Sequence, residues 1–474
     1  MSHSSTASDF EKDTAVEKDV GQTHLTEGQA DLVEASEPHF IIHEDDKIPN
    51  ASTERDGESL KRVASEKPSV NNIKSVPNGG AKAWMQVLSS FFIFFNTWGI
   101  VNAFGIYQTY YEHGILEGSS PSDISWIGSI EAFLLMLVGS VAGPIYDKGY
   151  ARELLAVGSF LIVFGQMMLS LSTNYWHVFL AQGVSIGIGT GLIFVSGVAI
   201  ISTYFSTKIA TATGVAAAGS SIGGMLYPII FYKLQPQIGF AWATRVLGLI
   251  ALLTLAISNL VLRIRVVPQS RRKFLDLPAW KVLPYLFFNL GSFFTFMGLY
   301  APFFYVQSYV IQTGIMDEGL GFYILAVLNA ASTFGRLIPN FVADRAGPLN
   351  IIVPCTFMSG ILQYCLISAH SIPSVMAIVA LYGFFSGALV SLPATIYVHL
   401  AGPTRRGLIG TWMGMGFAFV SIGMLIGTPI TGAILAASSF KAIWAFGGSL
   451  TLLGSVFILL ARFAQGCWKL KVKV

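Results

Sequence analysis

From Ala83 to the C-terminus, apolar runs of about 20 residues recur, separated by short polar turns that carry glycine, proline or charge. Each run is long enough to cross roughly 30 Å of hydrocarbon as an α-helix. The pattern predicts spans over 83–107, 123–145, 153–172, 176–203, 209–232 and 239–262, then over 282–311, 319–343, 349–369, 373–399, 408–435 and 440–464. Between the two sets of six lies 263–281, where Arg263, Arg265, Arg271, Arg272, Lys273 and Lys281 face the single carboxylate Asp276. Pro268 and Pro278 stop a helix from running through it. The expected fold class is an all-α membrane protein with twelve transmembrane helices in two six-helix pseudo-repeats. The expected organisation is a disordered acidic cytoplasmic tail (1–80), a six-helix bundle (81–265), a basic cytoplasmic linker (266–281), a second six-helix bundle (282–465) and a short basic tail (466–474).

Composition excludes a soluble enzyme. Hydrophobic residues make up 53% and charged ones 12% of the chain, against roughly 25% charged in a soluble domain, and the mean hydropathy is +0.61. The net charge of +3 hides an asymmetry. Residues 1–80 hold 16 acidic and 8 basic side chains, whereas the remainder holds 10 acidic and 21 basic. The tail lacks the apolar content needed to offset ordering entropy. Three cysteines (Cys355, Cys365, Cys467) lie in or beside apolar runs, which argues against a disulfide framework. Cys467 reads as a free thiol, with palmitoylation as the alternative. The first 80 residues are polar, so the first span itself is expected to direct insertion. The glycosylation sequon at Asn50 falls in the tail and would not meet the enzyme.

Loop charges orient the bundle. Alternate loops carry Lys148 and Arg152, Lys208, the 263–281 cluster, Arg345, and Arg405 with Arg406; Lys469, Lys471 and Lys473 follow the last span. The other loops carry Glu112, Glu117, Asp123, Asp317 and Glu318, with Lys233 and Lys441 as their cations. Cytoplasmic loops retain Lys and Arg, so both termini are expected in the cytoplasm, with the plasma membrane as the expected location and the vacuolar membrane as the alternative.

The two halves echo each other at a spacing near 200 residues. Asp147-Lys148 after the second span matches Asp344-Arg345 after the eighth, and Pro228 in the fifth matches Pro429 in the eleventh. The fifth span carries Gly214, Gly219 and Gly223, the eleventh Gly410, Gly414 and Gly423. Such a repeat implies a two-fold arrangement around a central site. Three stretches then carry a specific resemblance: Pro77-Asn78-Gly79-Gly80 with Trp84 ahead of the first span; Tyr204-Phe205 with Gly214, Ala218-Gly219 and Gly223; and Gly335-Arg336 with Pro339, Asp344-Arg345 and Gly347. Over about 77–465 the chain resembles a major facilitator superfamily transporter, and within it the fungal monocarboxylate-porter-related family. Asn78 stands where that family usually has aspartate.

Ionisable groups within spans are functional candidates because their burial in lipid is costly. Glu131, about a third into the second span, is a candidate proton-coupling site, with a structural carboxylate as the alternative. Arg245 in the sixth span could pair with a carboxylate substrate or serve as a structural bridge. The aromatic seventh span offers Asn289, Tyr300 and Tyr305 to a flat or aromatic substrate, with Pro302 positioned to break it. Tyr309 reads as interfacial belt. Asn329, Asn96 and Asn102 are further polar candidates, with interhelical hydrogen bonding as the equal alternative. The resemblance implies that Arg336 matches a substrate-binding arginine, with anchoring of the inner gate near Asp344 as the equal alternative. The aspartate that accompanies this arginine in the family is Ser332 here, and the family's first-span lysine has no counterpart between Lys82 and Lys148. Those departures argue against lactate-type proton symport. Asp147, Lys148, Arg152, Asp344 and Arg345 are expected to latch the two halves as they rock.

Gly183, Gly187 and Gly191 in the fourth span read as packing devices. Their GIGTG stretch lacks a preceding strand and a Walker lysine, which excludes ATP-driven transport. No metal-ligand spacing and no catalytic constellation appear, so neither an enzyme nor a cofactor is expected beyond a proton gradient. The expected function is secondary transport of a small organic metabolite by alternating access, monocarboxylate-like or a secondary metabolite, with efflux plausible, in a monomer whose partners are its substrate and the bilayer, with no nucleic acid. The rival is a sensor that signals through the tail with little flux.

Overall fold

The computed structural model describes residues 77–112, 114–265, 275–402 and 408–466. They form twelve long helices: α1 (Ala81–Glu112), α2 (Pro121–Asp147), α3 (Ala151–Leu169), α4 (Tyr175–Tyr204), α5 (209–238), α6 (240–261), α7 (Leu283–Gln312), α8 (Glu318–Ala346), α9 (Pro348–Ile367), α10 (Ile372–Ala401), α11 (Ile409–Ala437) and α12 (Phe440–Gln465). α5 and α6 run on from each other, and Gly239 (φ 75°, ψ 168°) turns the chain between them. Only glycine adopts that conformation readily.

The predicted spans lie on these helices. The differences sit at the ends, because a helix does not stop where hydrocarbon does. α1 runs five residues past its predicted end, and α5 carries Gln235, Pro236 and Gln237 to the break at Gly239. α7 breaks at Tyr300, and its second segment, Ala301–Gln312, begins with Pro302 in its first turn, where the missing N–H is tolerated. α1 breaks as well, at Thr97 and Ala103. Ala103 and Tyr300 are 197 positions apart, the same spacing as Asp147 and Asp344.

In lipid, helix association rests on close packing and interhelical hydrogen bonds rather than on water exclusion. In the first half α1 lies against α5 and α6. A Cβ on Gly219 would strike the Phe91 carbonyl, and one on Gly223 would sit 2.5 Å from the Phe95 carbonyl oxygen. The Ser89 and Ser258 hydroxyls each donate to the other's backbone carbonyl (3.3 and 3.1 Å), and Asn96 bonds Thr254 at 2.8 Å. In the second half α7 and α9 both pack on α12, and α8 packs on α10. The halves meet along two seams, α2 with α11 and α5 with α8. The repeat relates these seams, since α8 is the counterpart of α2 and α11 of α5. Large apolar side chains such as Phe160 (64% exposed) and Leu260 (80%) point outward, as a lipid-facing surface requires.

The acidic tail up to residue 76, Pro268, the linker cations Arg271, Arg272 and Lys273, Arg405, Arg406, Cys467 and the C-terminal lysines lie outside the described residues.

Candidate functional site

The three sequence motifs converge at the end of the bundle that carries the basic loops. Asn78 (φ 54°) places its Oδ1 to accept from the Ser206 and Thr207 backbone N–H groups (2.7 and 3.0 Å) and the Ser206 hydroxyl, while its own N–H donates to the Tyr204 carbonyl. Asparagine accepts these bonds as aspartate would, without charge. Trp84 packs edge-on against Phe205 at 5.5 Å. The turn so held leads into α5, whose first N–H groups have no intrahelical acceptor. Asp344, from α8 of the other half, supplies one. Its carboxylate accepts from the backbone N–H of Ala210 (3.2 Å) and Thr211 (3.0 Å) and from the Thr211 hydroxyl (2.7 Å). A carboxylate at a helix N-terminus is favoured by the macrodipole. Gly214 then lets α5 lie on α8, since a Cβ there would be 2.6 Å from the Arg336 carbonyl oxygen.

Midway through the bundle lies a cluster of buried polar groups. α1 presents Trp98, Asn102 and Tyr107, α2 presents Glu131, α7 presents Tyr300, and α8 presents Asn329 and Arg336. Each has at least one polar atom with no hydrogen-bond partner: Trp98 Nε1, both ends of the Asn102 amide, the Tyr107 and Tyr300 hydroxyls, both Glu131 oxygens, Asn329 Oδ1 and one Arg336 terminal nitrogen. Buried polar atoms are ordinarily paired. Trp98 stacks on Tyr300 (6.3 Å, 21°), and Tyr300 lies within electrostatic reach of Arg336. Asn102 and Asn329 meet at Gly224, whose carbonyl accepts from Asn329 at 3.1 Å. Tyr107 lies within electrostatic reach of Glu131.

Arg336 is fully buried. Its Nε donates to Ser332 (3.4 Å), and one terminal nitrogen donates to the Ala217 carbonyl (3.2 Å) and the Ser220 hydroxyl of α5. These neutral acceptors orient the fork without neutralising it. The second terminal nitrogen has no hydrogen-bond partner.

Of the residues singled out in the sequence, Asn102, Glu131, Tyr300, Asn329 and Arg336 fall in the cluster, whereas Asn96 bonds Thr254 and Tyr227 within the first half. Arg245 lies apart, donating to the Ser170 hydroxyl of the α3–α4 turn (3.1 Å) and resting on the Trp242 ring (4.8 Å). Asn289 bridges Tyr397 and the Tyr285 carbonyl within the second half. Tyr305 donates to the Thr428 carbonyl (3.3 Å). Lys148 and Arg152 are exposed, and Arg345 lies over the Phe341 ring at 4.5 Å. Trp98 and Tyr107 were missed by the sequence reading. The available signal was the Trp98-x3-Asn102 spacing, which sets two polar-tipped side chains on one helical face.

The ends of the bundle differ. At the end away from the basic loops, Ser129 bonds Thr428, Ser122 donates to the Pro429 carbonyl (3.0 Å), Thr109 meets Ser308 (3.3 Å), and Phe104 packs on Phe304 (4.8 Å). All four contacts join the halves. At the basic end, α2 and α11 flank a cleft of about 200 Å³ lined by Ser140, Gly143, Asp147, Thr411, Gly414 and the linker residue Leu275. Next to Leu275, Asp276 accepts from the Trp412 indole N–H at 2.8 Å. A smaller adjoining cavity reaches Phe194 of α4 and Phe417 of α11, which touch across the halves at 6.0 Å, and Phe194 also packs on Trp98. A row of rings thus runs from the cleft to the polar cluster.

A twelve-helix bundle of two related halves, with a buried polar cluster between them, defines a membrane transporter. Residues 87–417 match the Major Facilitator Superfamily, and the chain belongs to that family. It is 48% identical over 387 residues to an MFS-type transporter, dbaD, of Emericella nidulans, covering 81% of this chain and 87% of that protein. It is 38% identical over 397 residues to the aspyridones efflux protein apdF of the same fungus (83% of this chain, 80% of that protein). It is 37% identical over 382 residues to the agnestins efflux protein AgnL12 of Paecilomyces divaricatus (80% and 87%). The chain is a multi-pass membrane transporter, not an enzyme.

Proposed function

We propose that the protein exports an acidic, aromatic secondary metabolite from the cytoplasm across the plasma membrane, with proton uptake at Glu131 driving the cycle. The observation that carries this reading is the buried cluster: one guanidinium with a donor to spare, a stacked indole and phenol, two amides and one lone carboxyl. Arg336 would bind the substrate's anionic group, Trp98 and Tyr300 would take its rings, and Asn102 and Asn329 would bond its carbonyl or hydroxyl groups. Relatives named as efflux proteins support export, and the unpartnered terminal nitrogen of the buried Arg336 supports an acidic substrate.

In this reading the basic end faces the cytoplasm, following the loop charges, and the described conformation is sealed on the outside. Outward opening would part the contacts of α1 with α7 and of Ser129 with Thr428 while closing the α2–α11 cleft. Asp344 on the α5 N-terminus would latch one seam. Asp147, which lines the cleft with Thr411, would do so at the related seam, with the exposed cations Lys148, Arg152 and Arg345 holding those loops at the cytoplasmic surface.

Proton coupling rests on the setting of Glu131. A carboxylate with no cation and no hydrogen bond is unstable at that depth, so the sealed state would hold it as the neutral acid. Transport of a panel of labelled aromatic acids into and out of proteoliposomes, with and without a proton gradient, tests the proposal. Extrusion of one such acid driven by proton entry from the opposite side is expected. Flux indifferent to the gradient would reduce the protein to a facilitator.

A further inference from the structure

Within α4, residues Phe179–Ile186 form a π-helix between the α-helical stretches Tyr175–Val178 and Gly187–Tyr204. Residues five apart point to different faces of an α-helix, whereas the i→i+5 bonding of a π-turn brings them towards one face. Gln182 and Gly187 are such a pair. Gly187 lies directly on α2, where a Cβ would be 3.1 Å from the Cα of Glu131. The π-turns therefore swing the fully buried Gln182 towards the same carboxyl.

The amide there has a fixed orientation. The Tyr111 hydroxyl of α1 donates to Gln182 Oε1 at 2.7 Å, and Tyr111 is itself wedged between Tyr107 (5.9 Å) and Phe240 (6.3 Å). With its carbonyl occupied, Gln182 turns its NH2 end towards Glu131. The amide lies within reach of the carboxyl, but neither Gln182 Nε2 nor either Glu131 oxygen makes a fully formed hydrogen bond. Among the described residues, the other titratable groups facing Glu131 are Tyr107 and Tyr111 of α1. On its own helix Ser129 is turned to Thr428 of α11.

We propose that Gln182 is a positioning residue for Glu131: its amide, aimed by Tyr111, supplies the hydrogen bond that the ionised carboxylate needs and the neutral acid does without. This inference rests on the proposed coupling role of Glu131. The amide transfers no proton; the carboxyl O–H bond breaks to water on the side then open, leaving a carboxylate that accepts from Gln182 Nε2. Gln182 thereby sets the pH at which the proton is released.

The test needs no substrate. Infrared difference spectra of the full-length protein in lipid vesicles, titrated with pH, read the carboxyl C=O stretch of a buried acid. Glu131→Gln should delete one titrating band and so assign it. Gln182→Met, close in size but without a donor, should move that band's midpoint to higher pH by about one unit, a tenfold change in the protonation constant. Tyr111→Phe, which frees the amide to turn, should move it the same way by less. It also carries the test alone if Gln182→Met does not fold. An unmoved midpoint in both variants, with the band still deleted by Glu131→Gln, would overturn the role of Gln182 and leave that of Glu131 standing. A spectrum in which Glu131→Gln removes no titrating band would sink both.

Discussion

Arg245 and Arg336 are both guanidinium groups in apolar helices, and their surroundings give them different work. Arg245 sits at a helix end with a serine and an indole, where its charge can reach the interface. Arg336 is enclosed by neutral acceptors from another helix. Replacing Arg336 by lysine keeps the charge and loses the fork, so the apparent KM for an acidic substrate should rise about tenfold or more, as read by concentration-dependent uptake. Arg245→Lys should leave that KM within about twofold. At Glu131, substitution by glutamine keeps shape and removes the proton site; gradient-stimulated flux should vanish while exchange down a substrate gradient persists. A Glu131→Gln variant with wild-type pH dependence would end the coupling proposal. Residue chemistry was legible in the chain only in part. The sequence shows an ionisable group within a span but not the direction it points, and only the Asn102 four residues on sets Trp98 apart from the exposed Trp84 and Trp242.

Among the elements, helices are the most legible because hydrocarbon leaves a spanning backbone little choice. The break at Gly239 and the restart at Pro302 follow from residue type. The breaks in α1 at Thr97 and Ala103 and the wide turns of α4 do not, because no proline or charge marks them and tertiary contacts hold them. The packing glycines can be tested directly. Gly219→Ala would drive a methyl group into the Phe91 carbonyl, a backbone atom that cannot step aside. Overpacking of this kind destabilises by about 1–3 kcal/mol, and the yield of monodisperse protein and its melting temperature in detergent should both fall. Gly143→Ala, where nothing lies within 4 Å, should change neither. At the α5 N-terminus, Asp344→Asn keeps a hydrogen-bond acceptor and loses the charge, a loss of about 0.3–1 kcal/mol. That should loosen the α5–α8 seam, seen as faster labelling of a cysteine placed at Thr211.

At the scale of the whole molecule, the two-fold repeat was readable from paired motifs, whereas the difference between its two ends was not. Related sequences build different ends in the same chain: at the end away from the basic loops both α1–α7 and α2–α11 make contact, whereas at the basic end α5 and α8 are bonded through Asp344 while α2 and α11 flank a cleft. The proposed transport role and its sensor rival part company at the tail. A chain lacking residues 1–75 should keep at least half of its flux in proteoliposomes; loss of flux with normal folding would show that the tail does more than solvate.

The bond network of Asn78 has a consequence for how the chain is made. Its partners, Ser206 and Thr207, are synthesised some 130 residues later, so α1 enters the membrane before the group that fixes its near end exists. Until α4 has been made, α1 lacks this attachment at its near end. The asparagine then acts as a late fastener, joining the start of the first half to its fourth helix only when four crossings are complete. Because it carries no charge, it closes with equal strength whatever the pH of the compartment in which assembly occurs.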